Sequence, residues 1–189
     1  TFTLTVGERH FPTKDEFKAY GRFVRERRDD FAWENDRTAH RTYGAALETW
    51  PREPLTSSAI DIWVKRTRKL VINDWYMMDD YHRDLGDGAD LYSAGKTRGC
   101  GGNGLWQNGK LYPSANFRDS RSLANGPIRV MFELTYANWD ASGVKPAVST
   151  HDVEVRARNQ VSRTSTVRPA KDATWRRTPI SGPSSTSRP

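Results

Sequence analysis

The stretch Ile128-Arg-Val-Met-Phe-Glu-Leu-Thr-Tyr136 decides the fold. Five apolar side chains recur at every second position of this stretch: Ile128, Val130, Phe132, Leu134 and Tyr136. Residues that alternate in this way share one face of an extended strand. Because such an apolar face must be covered by a second layer, the stretch predicts a mostly β fold in which two sheets pack as a β-sandwich.

Toward the N-terminus, the pattern predicts a strand followed by a short helix. The apolar positions of 2–6 alternate with threonines, which is typical of a half-buried strand. Thr13 and Glu16 have the spacing of a capping box, which predicts a helix that begins there and ends at Gly21.

Three further elements are predicted in the middle of the chain. Alternating Ile and Val over 60–64 predicts a strand, and we expect 70–76 to form another strand after a turn at 66–68. Asn108-Gly109 lies between two short apolar runs, and both residues suit the positive φ of a type I′ turn. The dipeptide therefore predicts a two-residue hairpin.

The net charge of the chain is concentrated in its C-terminal part. The 189 residues carry a formal charge of +7, and 155–189 hold eight basic residues and one acid, which accounts for all of it. A body without excess positive charge argues against a nucleic-acid partner. We predict one β-sandwich domain over 1–154 and a disordered basic tail, rich in Arg, Ser, Thr and Pro, over 155–189.

The single cysteine and the hydropathy pattern give limited information on environment. Cys100 excludes an internal disulfide, and we expect it to be a small buried residue. No apolar run reaches membrane-spanning length, and no signal peptide is visible in the sequence, which begins at Thr1. We therefore expect no membrane partner, and the oligomeric state stays open.

The segment 29–43 is the first candidate site. In an extended conformation Glu34 and Asp36 would share one face, and Trp33, Asn35 and Arg37 the other, so neither face is apolar. Such a strand can line a cleft. The alternative is that Trp33 is buried at the rim of the sandwich while the charged residues form solvated ion pairs.

The segment 73–102 is the second candidate site, because it is too polar for a core and too aromatic for a linker. Tyr81 and His82 suit proton transfer, since histidine titrates near neutral pH. Arginines such as Arg83 and Arg98 can bind a carboxylate through two parallel hydrogen bonds. These groups together suit elimination from a sugar acid. The alternative is a polar loop whose histidine only satisfies backbone carbonyls.

Two patterns in the same segment favour no cofactor. The carboxylates of 84–90 resemble a calcium loop but lack the ligand order and terminal glutamate of an EF-hand, so we predict no metal site and leave a divalent cation as the less favoured alternative. The glycines of 99–104 do not form a dinucleotide fingerprint.

Six tryptophans between Trp33 and Trp139 offer flat faces on which sugar rings could stack.

Five motifs in order resemble a known bacterial family: 29–37 (DDFAWENDR), 60–66 (IDIWVKR), 79–82 (DDYH), 98–102 (RGCGG) and 123–129 (LANGPIR). The family is called domain of unknown function 4861, and the resemblance covers 23–152. It implies a sugar-binding β-sandwich, galactose-mutarotase-like or related, in an extracellular or periplasmic protein of polysaccharide degradation. The family includes a dehydratase that acts on unsaturated uronic-acid fragments of ulvan. Its members are longer, so the sandwich in this chain is expected to be partial.

We therefore predict a carbohydrate-active lyase or dehydratase that eliminates water or a glycosyl group from uronate-containing oligosaccharides. His82 and Tyr81 are the expected acid–base pair. The supporting or alternative acid–base groups are Glu34, Asp36 and His40. The expected substrate-binding residues are Trp33 as stacking platform, Arg37 and Arg98 as carboxylate clamps, and Asn35 and Asp80.

Two other functions stay open at this stage. One is a non-catalytic carbohydrate-binding sandwich, whose affinity would depend on tryptophans and not on His82. The other is a glycoside hydrolase that uses a pair of carboxylates such as Glu34 and Asp80.

Overall fold

The computed structural model describes residues 6–7, 11–91, 93–137, 147–156 and 160–168. These residues form two antiparallel sheets, a separate two-stranded hairpin and one α-helix. The predicted mostly β fold, of β-sandwich type, is confirmed.

The first sheet has five strands in sequence order, each antiparallel to its neighbour. They are β1 (Ala19–Val24), β2 (Asp30–Asn35), β3 (Thr38–Thr42), β4 (Ile60–Lys65) and β5 (Gly88–Ala89). The helix α1 (Ile72–Met78) lies between β4 and β5 in the chain, and single 3-10 turns span Lys14–Glu16, Arg25–Arg27 and Ala45–Thr49.

The hairpin and the second sheet follow in the chain. The hairpin pairs β6 (Gly104–Gln107) with β7 (Lys110–Pro113). The second sheet has the order β11-β10-β9-β8. Its strands are β8 (Phe117–Asn125), β9 (Arg129–Tyr136), β10 (Ala147–Arg156) and β11 (Gln160–Arg168).

One hydrophobic core joins the two sheets. Phe31 stacks on Phe132 with ring centroids 4.2 Å apart, and Trp33 packs against the same Phe132 ring at 5.1 Å. Every second residue of β9 is buried in this core, as the alternation predicts: Val130, Phe132, Leu134 and Tyr136. Ile128 precedes the strand and is 69% exposed, so its assignment to the buried face is wrong.

A second core covers the opposite face of the five-stranded sheet. Helix α1 and the segment after it pack on β2, β3 and β4, with Trp63 at the centre of an aromatic group. The members of this core in the strands and the helix include Ala32, Ala39, Trp63, Ile72, Trp75 and Tyr76. Because both faces of the sheet are covered, β2 is buried at all of its six positions.

The predicted strand over 70–76 is wrong, because most of this segment is helix α1. Its buried residues are Ile72, Trp75 and Tyr76, at the three- and four-residue spacing of one helical face. Both oxygens of the buried Glu34 carboxylate accept hydrogen bonds from the N–H of Val71, and Oε1 also accepts from that of Ile72, so a side chain of β2 fixes the start of the helix.

The predicted helix from Thr13 to Gly21 is reduced to one 3-10 turn. Thr13 N–H donates to the Glu16 carboxylate at 3.1 Å, but the chain is extended again at Phe17. Gly21 belongs to β1, where a side chain would meet Trp33 Cβ and a Val130 methyl at 3.2 Å each. Close packing between the sheets therefore explains this glycine.

Two local predictions are confirmed, and a third concerns residues outside the described part of the chain. Asn108 and Gly109 have φ values of 51° and 74° and connect β6 to β7, as the hairpin signal requires. The strand over 60–64 is β4. The predicted N-terminal strand falls largely on residues 1–5, outside the described residues.

The C-terminal strands cross the domain boundary that the composition suggests. Glu154 lies within β10, and β11 occupies Gln160–Arg168, inside the segment interpreted as a basic tail. Register places β10 between β9 and β11. The remaining part of the predicted tail, 169–189, lies outside the described residues.

We expect Phe132→Ala to lower the free energy of unfolding by about 3 to 5 kcal/mol, because the ring is fully buried between the sheets and its removal leaves a cavity. Denaturant titration followed by tryptophan fluorescence measures the change. Ile128→Ala is the control, since this exposed side chain should contribute within about 0.5 kcal/mol. Equal losses in both variants would contradict the core assignment.

Candidate functional site

The candidate site begins with three charged residues on the helix-covered face of the first sheet. Asp30 on β2, Arg41 on β3 and Asp61 on β4 all point to this side, and Arg41 lies opposite Asp61 in the strand register. Each of the three is at most 2% exposed. Charged groups this deeply buried must be paired, because each loses its hydration.

Arg41 supplies that pairing from the centre of the group. Its Nε donates to Asp61 at 2.8 Å, one terminal nitrogen donates to Asp90 at 2.8 Å, and the other donates to the Tyr81 hydroxyl oxygen at 3.1 Å. Asp30 lies 3.9 Å away. The guanidinium therefore ties β3 and β4 to the segment that follows α1.

A second guanidinium completes the cluster. Arg27 donates to both oxygens of Asp30 at 3.1 Å and pairs with Glu53. The Tyr76 hydroxyl donates to Asp30 at 3.0 Å. Burial raises the pKa of Asp30, although the two guanidiniums and Tyr76 oppose this shift. Tyr43 donates to Asp61 at 3.1 Å, and burial raises its pKa too.

The cluster forms the floor of a cleft of about 270 Å³. The lining residues are Arg41, Tyr43, Glu53, Asp61, His82, Asp90, Leu91, Ser93 and Ala94. Together with Asp30, the lining carboxylates Glu53, Asp61 and Asp90 outnumber the guanidinium groups of Arg27 and Arg41 by four to two, so the cleft is acidic. Carboxylates accept hydrogen bonds, and the cleft therefore suits ligands that carry donors such as sugar hydroxyls.

His82 is more exposed than Glu53, the other partly exposed titratable residue that lines this cleft. Its side chain is 64% exposed, and Nδ1 lies 3.2 Å from the Asp90 carbonyl oxygen and 3.5 Å from an Asp90 carboxylate oxygen. An Nδ1–H donated to that carbonyl leaves the lone pair on Nε2, the form in which imidazole accepts a proton. The side chain is thus held by one nitrogen and can react through the other.

Tyr81 is next to His82 in the chain, but its side chain is buried whereas that of His82 is exposed. Tyr81 is 5% exposed, its ring stacks on Trp63 at 5.1 Å, and its hydroxyl faces Arg41. It does not line the cleft. Tyr81 therefore holds the guanidinium in place, and the predicted pair is divided into an exposed histidine and a buried tyrosine.

Glu34 lies in a different part of the sheet, as an internal anchor. Its carboxylate is fully buried, accepts a hydrogen bond from Lys65 Nζ at 2.6 Å and holds the start of α1. Burial raises its pKa while the Lys65 ammonium opposes the shift. All these bonds are internal, so Glu34 is placed to join helix and sheet.

Trp33 and His40 stack on each other inside the core. Their rings are nearly parallel, with centroids 5.3 Å apart, and Trp33 is 1% exposed. An indole in this position has no face on which a sugar could stack, so the predicted platform is not formed by Trp33. Burial lowers the pKa of His40 to about 4, which keeps this imidazole neutral near pH 7.

Asn35, Asp36 and Arg37 form the turn between β2 and β3. Asn35 Oδ1 accepts hydrogen bonds from the N–H groups of Arg37 and Thr38 at 2.8 and 3.0 Å, which fixes the turn. Arg37 is exposed beside Asp36, with a closest N–O distance of 3.9 Å. None of the three lines the cleft at Arg41.

The remaining predicted residues lie on loops. Asp80 is paired with Arg83 at 2.7 Å on the surface, so it is not brought to Glu34, the partner it would need as a glycosidase pair. Arg98 is exposed in a loop whose backbone bonds to Ile60 at 3.3 Å. Cys100 is exposed, so its expected burial is wrong.

Of the residues that line the cleft, the sequence analysis named only His82 as a site residue. The charged and aromatic lining residues that it missed are Arg41, Tyr43, Glu53, Asp61 and Asp90. A usable signal existed for Asp61, because this acid lies between two isoleucines of a strand recognised from its alternation. A charge inside such a strand implies a buried partner. Arg41 is that partner, but only the strand register, which the sequence does not state, identifies it.

The described residues contain neither a group arranged as a metal site nor a membrane-spanning helix. Within this part of the chain, no group of three or more His, Cys, Asp or Glu side chains is arranged to hold a metal ion. No helix among the same residues is long and apolar enough to cross a membrane.

The sequence matches the model of one protein family and a relative from another organism. The model of the family described as "Domain of unknown function (DUF4861)" matches residues 6–176. An "Uncharacterized protein P7" of Formosa agariphila is 41% identical over 132 residues, which are 65% of this chain and 33% of the relative. The chain thus spans about a third of the length of the curated relative that it matches. No solved structure matches.

We expect Arg41→Met to lower the free energy of unfolding by about 3 to 5 kcal/mol, because Asp61 and Asp90 would stay buried without their cation. Denaturant titration measures the loss. Arg121→Met is the control, since its ion pair with Glu133 at 3.1 Å is 66% and 27% exposed and should contribute about 1 kcal/mol or less. A similar small loss in both variants would contradict the central role of Arg41.

His40 should make stability depend on pH. The unfolded chain takes up a proton near pH 6.5, whereas folded His40 does so only near pH 4. The unfolded state therefore binds more protons between these values, and acidification across this window should cost about 3 kcal/mol of unfolding free energy. Titrations at several pH values test this. His40→Phe should lack this part of the slope, and an unchanged slope would contradict the assignment.

Proposed function

The chain belongs to the DUF4861 family, and on this premise we propose that it is a carbohydrate-active lyase or dehydratase. Its substrates would be oligosaccharides that contain uronic acid, from which it eliminates water or a glycosyl group. We also expect an extracellular or periplasmic location, where such polysaccharide fragments occur. The chain spans about a third of the length of its curated relative, and the proposal concerns this third alone.

One observation supports the proposal above the others: the imidazole of His82 is held at the mouth of a polar cleft with Nε2 available. Elimination from a sugar acid begins when a base removes the proton from the carbon beside the carboxylate. The electron pair of that C–H bond forms a C=C bond, and the C–O bond on the next carbon breaks. His82 Nε2 would take the proton and return it to the departing oxygen, so that water or an alcohol leaves and the imidazole is neutral again.

The buried cluster would support this chemistry by positioning. Asp90 holds His82 through its backbone oxygen, and Arg41 holds Asp90 through its carboxylate. The charge of Arg41 is already balanced by Asp61 and Asp90, so we assign it to orienting these carboxylates. The carboxylates would accept hydrogen bonds from sugar hydroxyls and so orient the ring over His82.

A glycoside hydrolase is the second candidate, and the carboxylates of the cleft favour it. Glu53 and Asp61 line the same cavity, whereas hydrolysis of a glycosidic bond requires one carboxyl as acid and another as base or nucleophile. In this case product formation would consume water and would depend on Glu53. A non-catalytic carbohydrate-binding sandwich would bind the same sugars without forming any product.

We expect the protein to release one water or one alcohol from oligosaccharides with saturated uronate units, in which the carbon beside the carboxylate carries the hydrogen that the base must remove. His82→Ala should lower kcat by about a hundredfold or more because the proton acceptor is lost. Mass spectrometry of the products measures the reaction. Arg83→Ala is the matched control, since Arg83 is the next residue, is exposed and does not line the cleft.

The outcomes separate the candidates. Elimination that persists in His82→Ala would reject the assignment of the base. Addition of water to a cleaved glycosidic bond, lost in Glu53→Gln, would favour the hydrolase. Binding without product in the wild-type protein would favour the non-catalytic module.

A further inference from the structure

The segment that leaves the cleft has a charge opposite to that of the cleft. From 91 to 117 the chain contains Lys96, Arg98 and Lys110 but no aspartate or glutamate. All three cations are exposed. The acidic cleft is therefore followed in the chain by a basic loop and hairpin, and an anionic group would be repelled by the first and attracted by the second.

The hairpin also exposes a large aromatic side chain. Trp106 on β6 is 72% exposed, the most exposed tryptophan or tyrosine among the described residues. It lies opposite Leu111 of β7, so these two side chains share one face of the hairpin. The exposed indole keeps a large apolar surface in contact with water. A ligand with a flat apolar face can cover that surface by stacking on it.

Arg98 lies on this same face. The position of a Cβ on Gly104 would be 3.1 Å from Arg98 Cδ, so the arginine stem passes over the glycine. Gly104 and Trp106 are two residues apart on β6 and therefore face the same side, about 7 Å apart. The Arg98 guanidinium makes no hydrogen bond or ion pair with the residues that the structure describes.

A short loop connects this face to the cleft. Leu91, Ser93 and Ala94 line the cleft, and the chain then runs directly to Arg98. Ile60, the neighbour of Asp61, donates its N–H to the Arg98 carbonyl at 3.3 Å. The cleft and the hairpin face are thus joined by both a short loop and a backbone hydrogen bond.

We propose that Trp106 and Arg98 form a subsite for the acidic sugar unit on which His82 would act, while the other units of the oligosaccharide occupy the cleft. The sugar ring stacks on the indole, and its carboxylate pairs with the Arg98 guanidinium, while Lys96 and Lys110 add long-range attraction. The inference rests on the proposed carbohydrate function and adds to it the position of the acidic unit. It also explains why the cleft itself can be rich in carboxylates.

Binding measurements test the subsite without relying on turnover. Isothermal titration of a uronate oligosaccharide and of its carboxyl-reduced form, in which each carboxylate is a neutral CH₂OH group, separates charge from stacking. His82→Ala serves as the background, so that no substrate is consumed. Trp106→Ala should weaken binding of both ligands about tenfold or more, and Arg98→Gln should weaken the acidic ligand alone by a similar factor.

The control variants are matched by exposure. Ile128→Ala removes an apolar side chain that is 69% exposed on the β8–β9 turn, and Arg121→Gln removes a guanidinium from a surface ion pair whose arginine is 66% exposed. Both should bind like the background protein. Circular dichroism should show unchanged secondary structure in all variants, because every substituted side chain lies on the surface.

The results distinguish this subsite from the proposed reaction. Unchanged affinity in Trp106→Ala and Arg98→Gln overturns the subsite, even if the wild-type protein eliminates water. Loss of affinity in these variants supports the subsite, even if no product is formed and the proposed elimination fails. Equal weakening of both ligands by Arg98→Gln overturns the assignment of the carboxylate to that residue.

Discussion

The pairing of the Arg41 guanidinium with buried carboxylates is the interaction on which this side of the molecule depends. A five-stranded sheet covered on both faces normally excludes charge, yet this sheet carries Asp30, Arg41 and Asp61 between its strands and α1. The cost of their desolvation is offset by well-placed hydrogen bonds between opposite charges. Arg41 supplies such bonds to two carboxylates and one phenol, and so fixes how the segment after α1 lies on the sheet.

This constraint explains why the two candidate histidines, His40 and His82, differ so strongly. His40 is next to Arg41 on β3, and strand alternation turns it to the opposite face, where it stacks on Trp33 in the core. His82 follows the buried Tyr81 and is turned outward, while Asp90 holds one of its ring nitrogens. In both cases the neighbouring side chain, Arg41 or Tyr81, belongs to the buried cluster. The histidine beside it points away from that cluster, into the core for His40 and to solvent for His82.

Periodicity predicted the sandwich and its central strand, because the alternation in β9 is a local property of the sequence. It failed at α1, where Ile72, Trp75 and Tyr76 fit a helical face better than a strand. His82 was proposed from its residue type, and the structure places it at the cleft with an exposed side chain. Arg41 was missed, because a buried ion pair is defined by partners 20 and 49 residues away in the chain. Trp33 was misjudged for the same reason: burial on both faces of β2 is a tertiary property.

The opposite charges of cleft and hairpin also bear on how the proposed elimination could work. A carboxylate lowers the acidity of the neighbouring C–H bond while it is negative, so its charge must be neutralised before the proton is removed. Arg41 cannot do this, because its charge is shared by Asp61 and Asp90. For the proposed elimination a cation would therefore have to come from outside the buried cluster, and the exposed Arg98 of the proposed subsite would meet this need without weakening the internal pairing. The fold can keep Arg41 for stability and use the surface for recognition, because the two tasks fall on different arginines.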